Sequence, residues 1–328
     1  MFGRRLFLRG SGVVAASVVA GCSTSPWSGD SWWKDASGTL RIATGNVGAV
    51  FDEYGTALRV TAERVMPNID ADVLVTGGSV GNVVELIAGN ADVGFCLGDT
   101  AIQAVDGSGP FASPVPLTAL ARLYDSFLQV LVRRDSPVES LSQLAGRKIS
   151  AGQRDSGTLL VTERCVTAAG LNTDDIEFVP LSLADAAVAL ERGEIDVLAF
   201  VSGFPIQTLV DLGRRVPLRG IDIGDLVEPL VASWGPQYVT GPLPGDPYGL
   251  TASVRTVSVK TYMVAMPSLA EDTSYGFTSV VFDHQDDIAR QVRDVRQPTV
   301  AAGMFTQPVP LHPGALRWFR DRDAREVR

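Results

Sequence analysis

Apolar positions along the chain switch repeatedly between two spacings. Compact apolar runs at residues 40–44, 72–76 and 91–97 have the length and composition of strands. Between them, Tyr54, Leu58, Ala62 and Val65 recur at helical spacing from about Phe51, and Pro67 lies just past the last of them. Val83, Val84, Leu86 and Ile87 predict a second helix, and residues 99–105 a short third one. Strands and helices in alternation predict α/β units built on mainly parallel sheet.

The pattern then restarts. Residues 128–132 read as a strand, and 133–137 as a polar break. A helical turn around Leu141 and Leu144 ends at Gly146, and strand-like runs follow at 148–151, 176–180 and 195–201. The segments between them, 158–169 and 182–192, carry helical spacing, and a further helix is expected after Pro205. Two modules of similar pattern are therefore expected. Residues 234–253 are crowded with Pro and Gly and read as a long loop of the kind that carries function. A last strand at 257–266 precedes helical stretches at 273–282 and 286–295 and a charged C-terminal tail.

The first residues have a different logic. Arg4, Arg5 and Arg9 precede an apolar stretch rich in Gly, Ser and Ala, which is too short to span a bilayer. Twin arginines followed by Phe7, Leu8 and Arg9 resemble a twin-arginine export signal. Val19-Ala20-Gly21-Cys22 resembles a lipobox, which would make Cys22 the lipidated N-terminus. Residues 1–21 are then a signal peptide and 22–37 a Ser-, Gly- and Trp-containing tether to the outer face of the membrane.

Composition narrows the class. Residues 1–21 hold three arginines and no acid, so the remaining 307 residues carry a formal charge of −12, against −9 for all 328. That balance argues against a nucleic-acid partner. A hydrophobic content of 45% argues against disorder, and the length suits two domains. With Cys22 assigned to lipid, Cys96 and Cys165 remain. They could pair outside the cell, but Cys96 lies in an apolar strand and Cys165 on a helix of the other module. Two separately buried thiols are expected. No Cys/His metal spacing occurs, so neither metal nor cofactor is expected.

Four polar, glycine-containing turns follow predicted strands: Thr44-Gly45-Asn46, Gly77-Gly78-Ser79, Ser156-Gly157-Thr158 and Ser202-Gly203-Phe204-Pro205. Open α/β sheets bind ligands beyond the carboxyl ends of their strands. There the next helix offers unpaired N–H groups and the positive end of its dipole, a setting for a carboxylate. Arg154, beside Ser156, is placed to add a bidentate partner. Gly and Ser are default residues in any such turn. Four turns divided between two modules give the ligand reading its weight. An enzyme is not expected: no G-x-S-x-G elbow is present, and neither His284 nor His312 adjoins these turns.

The same turns carry a resemblance to the TAXI family of solute receptors of TRAP transporters. The matching pieces are Thr76-Gly77-Gly78-Ser79-Val80-Gly81-Asn82, the run from Gly89 through Asp92 to Asp99, Ser156-Gly157-Thr158, Gly193 and Asp196 leading to Pro205, and Pro247-Tyr248 before the strand from Val257. Leu40 to Asn46 and Ser140 to Lys148 match as well, so that the resemblance covers about residues 38–285 in order. The sequence departs from the family at Asn46, Val47, Arg154 and Asp155. The resemblance implies a two-lobed, periplasmic-binding-protein-like α/β fold (type II) with two strands crossing between lobes, at 128–133 and 257–266. Lobe one would be residues 38–133 and 256–328, and lobe two 134–255. It implies a monomeric receptor that hands a small carboxylate, such as glutamate, glutamine or a dicarboxylate, to a TRAP-type permease. A module feeding a membrane sensor is the alternative. The ligand would meet Thr44, Gly45, Asn46, Ser79, Asn82 and Asp99 from lobe one. From lobe two it would meet Arg154, Ser156, Gly157, Thr158, Ser202, Gly203 and Pro205, with Tyr248 closing one wall and Asp99 accepting from a ligand amino group.

The lipobox yields a direct test. Cys22→Ala should move the protein from the membrane fraction to the soluble extracytoplasmic fraction. A variant that still sediments with membranes as wild type does would refute lipidation at Cys22.

Overall fold

A computed structural model describes residues 31–292 and 295–326. A short 3-10 turn, Trp32–Asp35, opens it. There follow β1 (Gly38–Ala43), α1 (Val50–Val65), β2 (Ile69–Leu74), α2 (Ser79–Ile87), β3 (Val93–Leu97) and α3 (Gly98–Asp106). The α1 helix forms where its periodicity predicts. Tyr54, Leu58 and Ala62 are fully buried on one face, while Asp52 and Glu53 at its start and Arg64 at its end suit the helix dipole. Every residue of β3 is buried, as for a strand covered on both faces.

Next come β4 (Thr118–Arg133), β5 (Lys148–Ser150), α4 (Gly157–Ala168), β6 (Glu177–Phe178), α5 (Leu183–Arg192), β7 (Val197–Ser202) and α6 (Gln207–Arg215). Then β8 (Leu218–Gly220), α7 (Val227–Trp234), β9 (Tyr238–Leu243) and β10 (Val254–Ala265) complete the sheet. Helices α8 (Glu271–Asp283), α9 (Gln285–Gln291), α10 (Val300–Gly303) and α11 (Pro313–Glu326) close the chain. Local chemistry sets several ends. Ser182 caps α5 by accepting from the Asp185 N–H at 3.2 Å, and Gly193 ends it in the left-handed region at φ 71°.

The strands form one sheet in the order β2-β1-β3-β10-β4-β7-β5-β6, with β8 on β4 and β9 on β10. The two central strands are antiparallel and long, and each belongs to both lobes. Residues 254–259 of β10 pair with β9, while 261–265 pair with β3. Residues 127–131 of β4 pair with β7, and Ala119 bridges to Leu311 near the C-terminus. This is the two-lobed α/β fold with two crossing strands. One lobe packs Leu40, Tyr54, Phe277 and Trp318 into its core. The other has a core around Ile149, Val161 and Val197 and a second around Leu198, Leu209 and Tyr248.

Some expectations need correction. The signal at 1–21 and Cys22 lie outside the described residues, but the last part of the expected tether does not. Trp33 is buried in the lobe-one core, and the Arg317 guanidinium lies 4.2 Å from the centre of the Trp32 ring. Residues 32–37 are therefore part of that lobe. Strand β4 starts ten residues before the predicted 128, because a bulge opposite Lys260 and Tyr262 breaks the alternation and leaves Arg122 and Asp125 both half-exposed. The loop at 234–253 contains β9, an edge strand able to hold Pro242. The charged tail is a helix with Ala315, Trp318 and Phe319 on its buried side. Cys96 and Cys165 are free and buried, and burial raises both thiol pKa values. Among the described residues, no helix is long and apolar enough to cross a membrane.

Tyr248 is fully buried in lobe two rather than on a ligand wall. Its hydroxyl accepts from the Ile206 N–H at 2.8 Å and donates to Gln129 Oε1 at 2.5 Å, fastening the turn after β7 to β4. Gly213 allows this seat, since a Cβ there would stand 2.2 Å from the Tyr248 carbonyl oxygen. Backbone cannot swing away as a side-chain tip can. Gly213→Ala should therefore lower stability by about 1–3 kcal/mol in urea titration. An unchanged midpoint would refute this close packing.

Candidate functional site

The crossing strands aim the carboxyl ends of β1, β2 and β3 at those of β5 and β7. The turns beyond them meet around a cavity of about 30 Å³. Seven sequence-predicted residues line it: Gly45, Asn46, Ser79, Ser156, Gly157, Thr158 and Ser202. Sequence reasoning missed Ala49, Phe51, Leu97, Phe200 and Val201, whose apolar character marked them only as core; Gly77 and Gly78, in one of the predicted turns, add to the wall. Thr44, Asn82, Asp99, Arg154, Gly203, Pro205 and Tyr248 do not line it. Gly203 faces a second cavity of about 330 Å³ beside Arg122, Asp125 and Phe127 of β4, and Pro205 a third beside Asp52 and Glu53 of α1. Arg154 is exposed.

Most of the predicted side-chain groups hold the turns themselves. Ser79 Oγ accepts from the Leu97 N–H at 3.1 Å, and Thr158 Oγ1 from the Val201 N–H at 3.1 Å. Asn82 donates to the carbonyls of Thr44 and Phe95 and accepts from Thr76 Oγ1 at 2.6 Å. Ser156 caps α4 by accepting from the Leu159 N–H at 3.2 Å. Removing these hydroxyls would disturb the scaffold as well as any ligand. The next two donors of α4 are differently placed. Among the described residues, the N–H groups of Gly157 and Thr158 have no protein acceptor, and both residues line the cavity. They form the orphan, positive end of a twelve-residue helix.

Polar groups also join the lobes directly. Asn46 Oδ1 accepts from the Leu183 N–H at 3.0 Å, while its Nδ2 donates to the Gly77 carbonyl at 3.2 Å. Ser202 Oγ accepts from the Val50 N–H, at the start of α1, at 3.4 Å. Asp155 accepts from lobe-one N–H groups at the start of α2. Asp99, at the start of α3, is almost wholly buried and accepts from the Tyr238 hydroxyl at 3.0 Å and the Thr100 N–H at 2.8 Å. The Arg164 guanidinium stands 3.5 Å from the same carboxylate and donates to Tyr238 at 2.6 Å. Burial pushes the Asp99 carboxyl up from its ordinary range; Arg164, Tyr238 and Thr100 pull it back. Asp99 is thus committed to the other lobe in this closed arrangement and does not face the cavity.

Fold and opposed turns together define the class, a two-lobed α/β fold of the solute-binding-protein type. Over residues 42–322 the chain matches the NMT1-like family, and it belongs to that family. It is 32% identical over 94 residues to a putative aliphatic sulfonates-binding protein of Escherichia coli (strain K12), a match that spans 29% of each chain. Among solved structures it resembles MatC of Rhodopseudomonas palustris with bound malate, at TM-score 0.52 and 15% identity, covering 88% of this chain and 97% of that one. It also resembles a Xanthomonas citri protein bound to ATP, at TM-score 0.50 and 16% identity, covering 88% and 96%. At such identities these two structures share the fold.

The Asp99 cluster gives a pH-dependent prediction. Removing one partner of a buried pair strands the other charge, at a cost of about 3–5 kcal/mol. Arg164→Ala should lower stability on that scale near pH 7. Losing Arg164 removes a pull that lowers the Asp99 pKa, so the carboxyl takes a proton more readily and the deficit should shrink as pH falls toward 4. Urea titrations at several pH values measure this; a deficit independent of pH would refute it.

Proposed function

We propose that the protein is an exported, lipid-anchored solute receptor that closes two lobes on a small carboxylate and delivers it to a TRAP-type membrane permease. It performs no chemistry of its own. One observation carries the reading: turns from both lobes converge on one cavity, lined at the start of α4 by Gly157 and Thr158, whose N–H groups have no protein acceptor among the described residues. An anion seated there gains two charge-assisted hydrogen bonds and the favourable end of the dipole. The names of relatives agree in kind, since malate and sulfonates are both anionic. The turn motifs at 76–82 and 156–158 support the TAXI resemblance and hence the permease partner. Cys22 and the arginines before it support export and the lipid anchor.

A ligand touching both lobes favours the closed form by its greater affinity for it. The cavity of about 30 Å³ has room for one or two waters, far below the few hundred Å³ of most small-molecule sites.

A thermal-shift screen of carboxylates identifies the solute, because a ligand specific to the native state raises the melting midpoint. Gly157→Ala then tests the site. Its Cβ would lie 2.7 Å from Leu97 Cδ1 and from Ser79 Oγ, both in the opposing lobe. Over-packing of this kind costs about 1–3 kcal/mol, so calorimetry should show affinity weakened about tenfold to a hundredfold. Wild-type affinity in this variant would place the solute elsewhere.

A further inference from the structure

Strand β4 pairs with β10 over residues 118–127, but its other side has a gap. On that side residues 127–131 pair with β7 and 131–133 with β8, and at the far end Ala119 bridges to Leu311. Among the described residues, no strand lies against residues 120–126 there. Strand β7 ends at Ser202, and the chain turns off through Gly203 and Phe204.

The cavity of about 330 Å³ lies against this gap. Its volume is that of a small-molecule site, unlike the cavity between the turns, with which it shares no lining residue. Lobe two contributes Phe204, lobe one contributes residues 295–299, and the crossing strand contributes residues 122–125 and Phe127. The two half-buried rings are held from behind. Phe204 packs edge-on against Tyr248, with ring centres 5.1 Å apart. Phe127 lies over Gly241, where a Cβ would stand 2.6 Å from its ring.

Charge around the cavity is unbalanced. Arg122 donates to Asp125 at 2.7 Å, and Lys260 stands opposite the same Asp125 on β10. Burial and the nearby Arg122 push the Lys260 pKa down, while Asp125 pulls it back up. Arg296, on the cavity wall, has no carboxylate partner among the described residues. Tyr124 lines the cavity too; it is buried, and its hydroxyl has no hydrogen-bond partner among the described residues, which is uncommon for a buried polar group. We infer that this cavity is a second ligand site, for a small organic mono-anion with an apolar body. Arg122 and Arg296 meet the anionic group, and Phe127 and Phe204 meet the body. An occupant touching both lobes beside the crossing strand favours the closed arrangement.

Phenylacetate and its uncharged amide, phenylacetamide, are probes of nearly one shape. Calorimetry of both on the mature chain tests the site. Wild type should bind phenylacetate at least about tenfold more tightly than phenylacetamide. Arg296→Gln, at an exposed position, should weaken phenylacetate about tenfold to a hundredfold, the worth of one hydrogen bond to a charged group, and leave the melting midpoint nearly unchanged. Arg122→Gln should weaken it on the same scale, and Phe204→Ala should weaken both probes alike. Phenylacetate affinity within about threefold of wild type in both arginine variants would seat the probe elsewhere and overturn the site. Equal affinity for the two probes, or no binding of either at millimolar concentration, overturns it as well. None of these results bears on the carboxylate reading of the turns, which Gly157→Ala tests.

Discussion

Two antiparallel strands, β4 and β10, run from one lobe into the other, and their pairing is the constraint on which the rest of the molecule depends. β4 has sixteen residues and β10 twelve, long enough for each to be sheet-bonded in both lobes. Each lobe is a parallel βα unit laid against this pair, one ordered β2-β1-β3 and the other β6-β5-β7. The two units approach the central pair from opposite sides and in opposite senses. Their strand ends, and the helix starts beyond them, are thereby turned toward each other. A cleft is the geometric result of that topology, whatever fills it.

Turning several helix starts toward one another has an electrostatic consequence. Each exposes unpaired N–H groups and a partial positive charge. Brought together without acceptors they would leave buried donors unmet, at a cost comparable with a lost hydrogen bond each. The closed arrangement supplies acceptors across the gap: Ser202 for α1, Asp155 for the turn into α2, and the carbonyl-like oxygen of Asn46 for the start of α5. Asp99 belongs to the same pattern, with a buried charge tolerated because Tyr238, Arg164 and a backbone N–H surround it. At the start of α4, as at the start of α2, the first two N–H groups have no protein acceptor among the described residues.

The βα alternation, the restart near residue 134 and the glycine-containing turns were legible in the sequence because each is local. A helical repeat such as Tyr54, Leu58 and Ala62 needs only its own neighbours to be read. The same holds for a Ser that caps the helix it precedes, as Ser156 and Ser182 do. The early start of β4 was not legible, because the bulge that disturbs its alternation is set by the register of a partner strand more than a hundred residues away. Nor was the helical tail, whose charged face hides the few apolar residues that hold it to α8.

Periodicity and turn chemistry determined the elements, the α/β class and which turns carry polar groups, because those are properties of short stretches of chain. The tertiary structure decided what each polar group does. Asp99 and Tyr238 meet across 139 residues, and Gly77 and Asp155 across 78. No local pattern marks such pairs, so Asp99 read as a ligand acceptor, Tyr248 as a cleft wall, and Asp155 only as a departure from a family motif. A polar side chain can satisfy itself on its own turn, on the facing lobe or on a solute. Which of these it does depends on what the fold brings within about 3 Å of it.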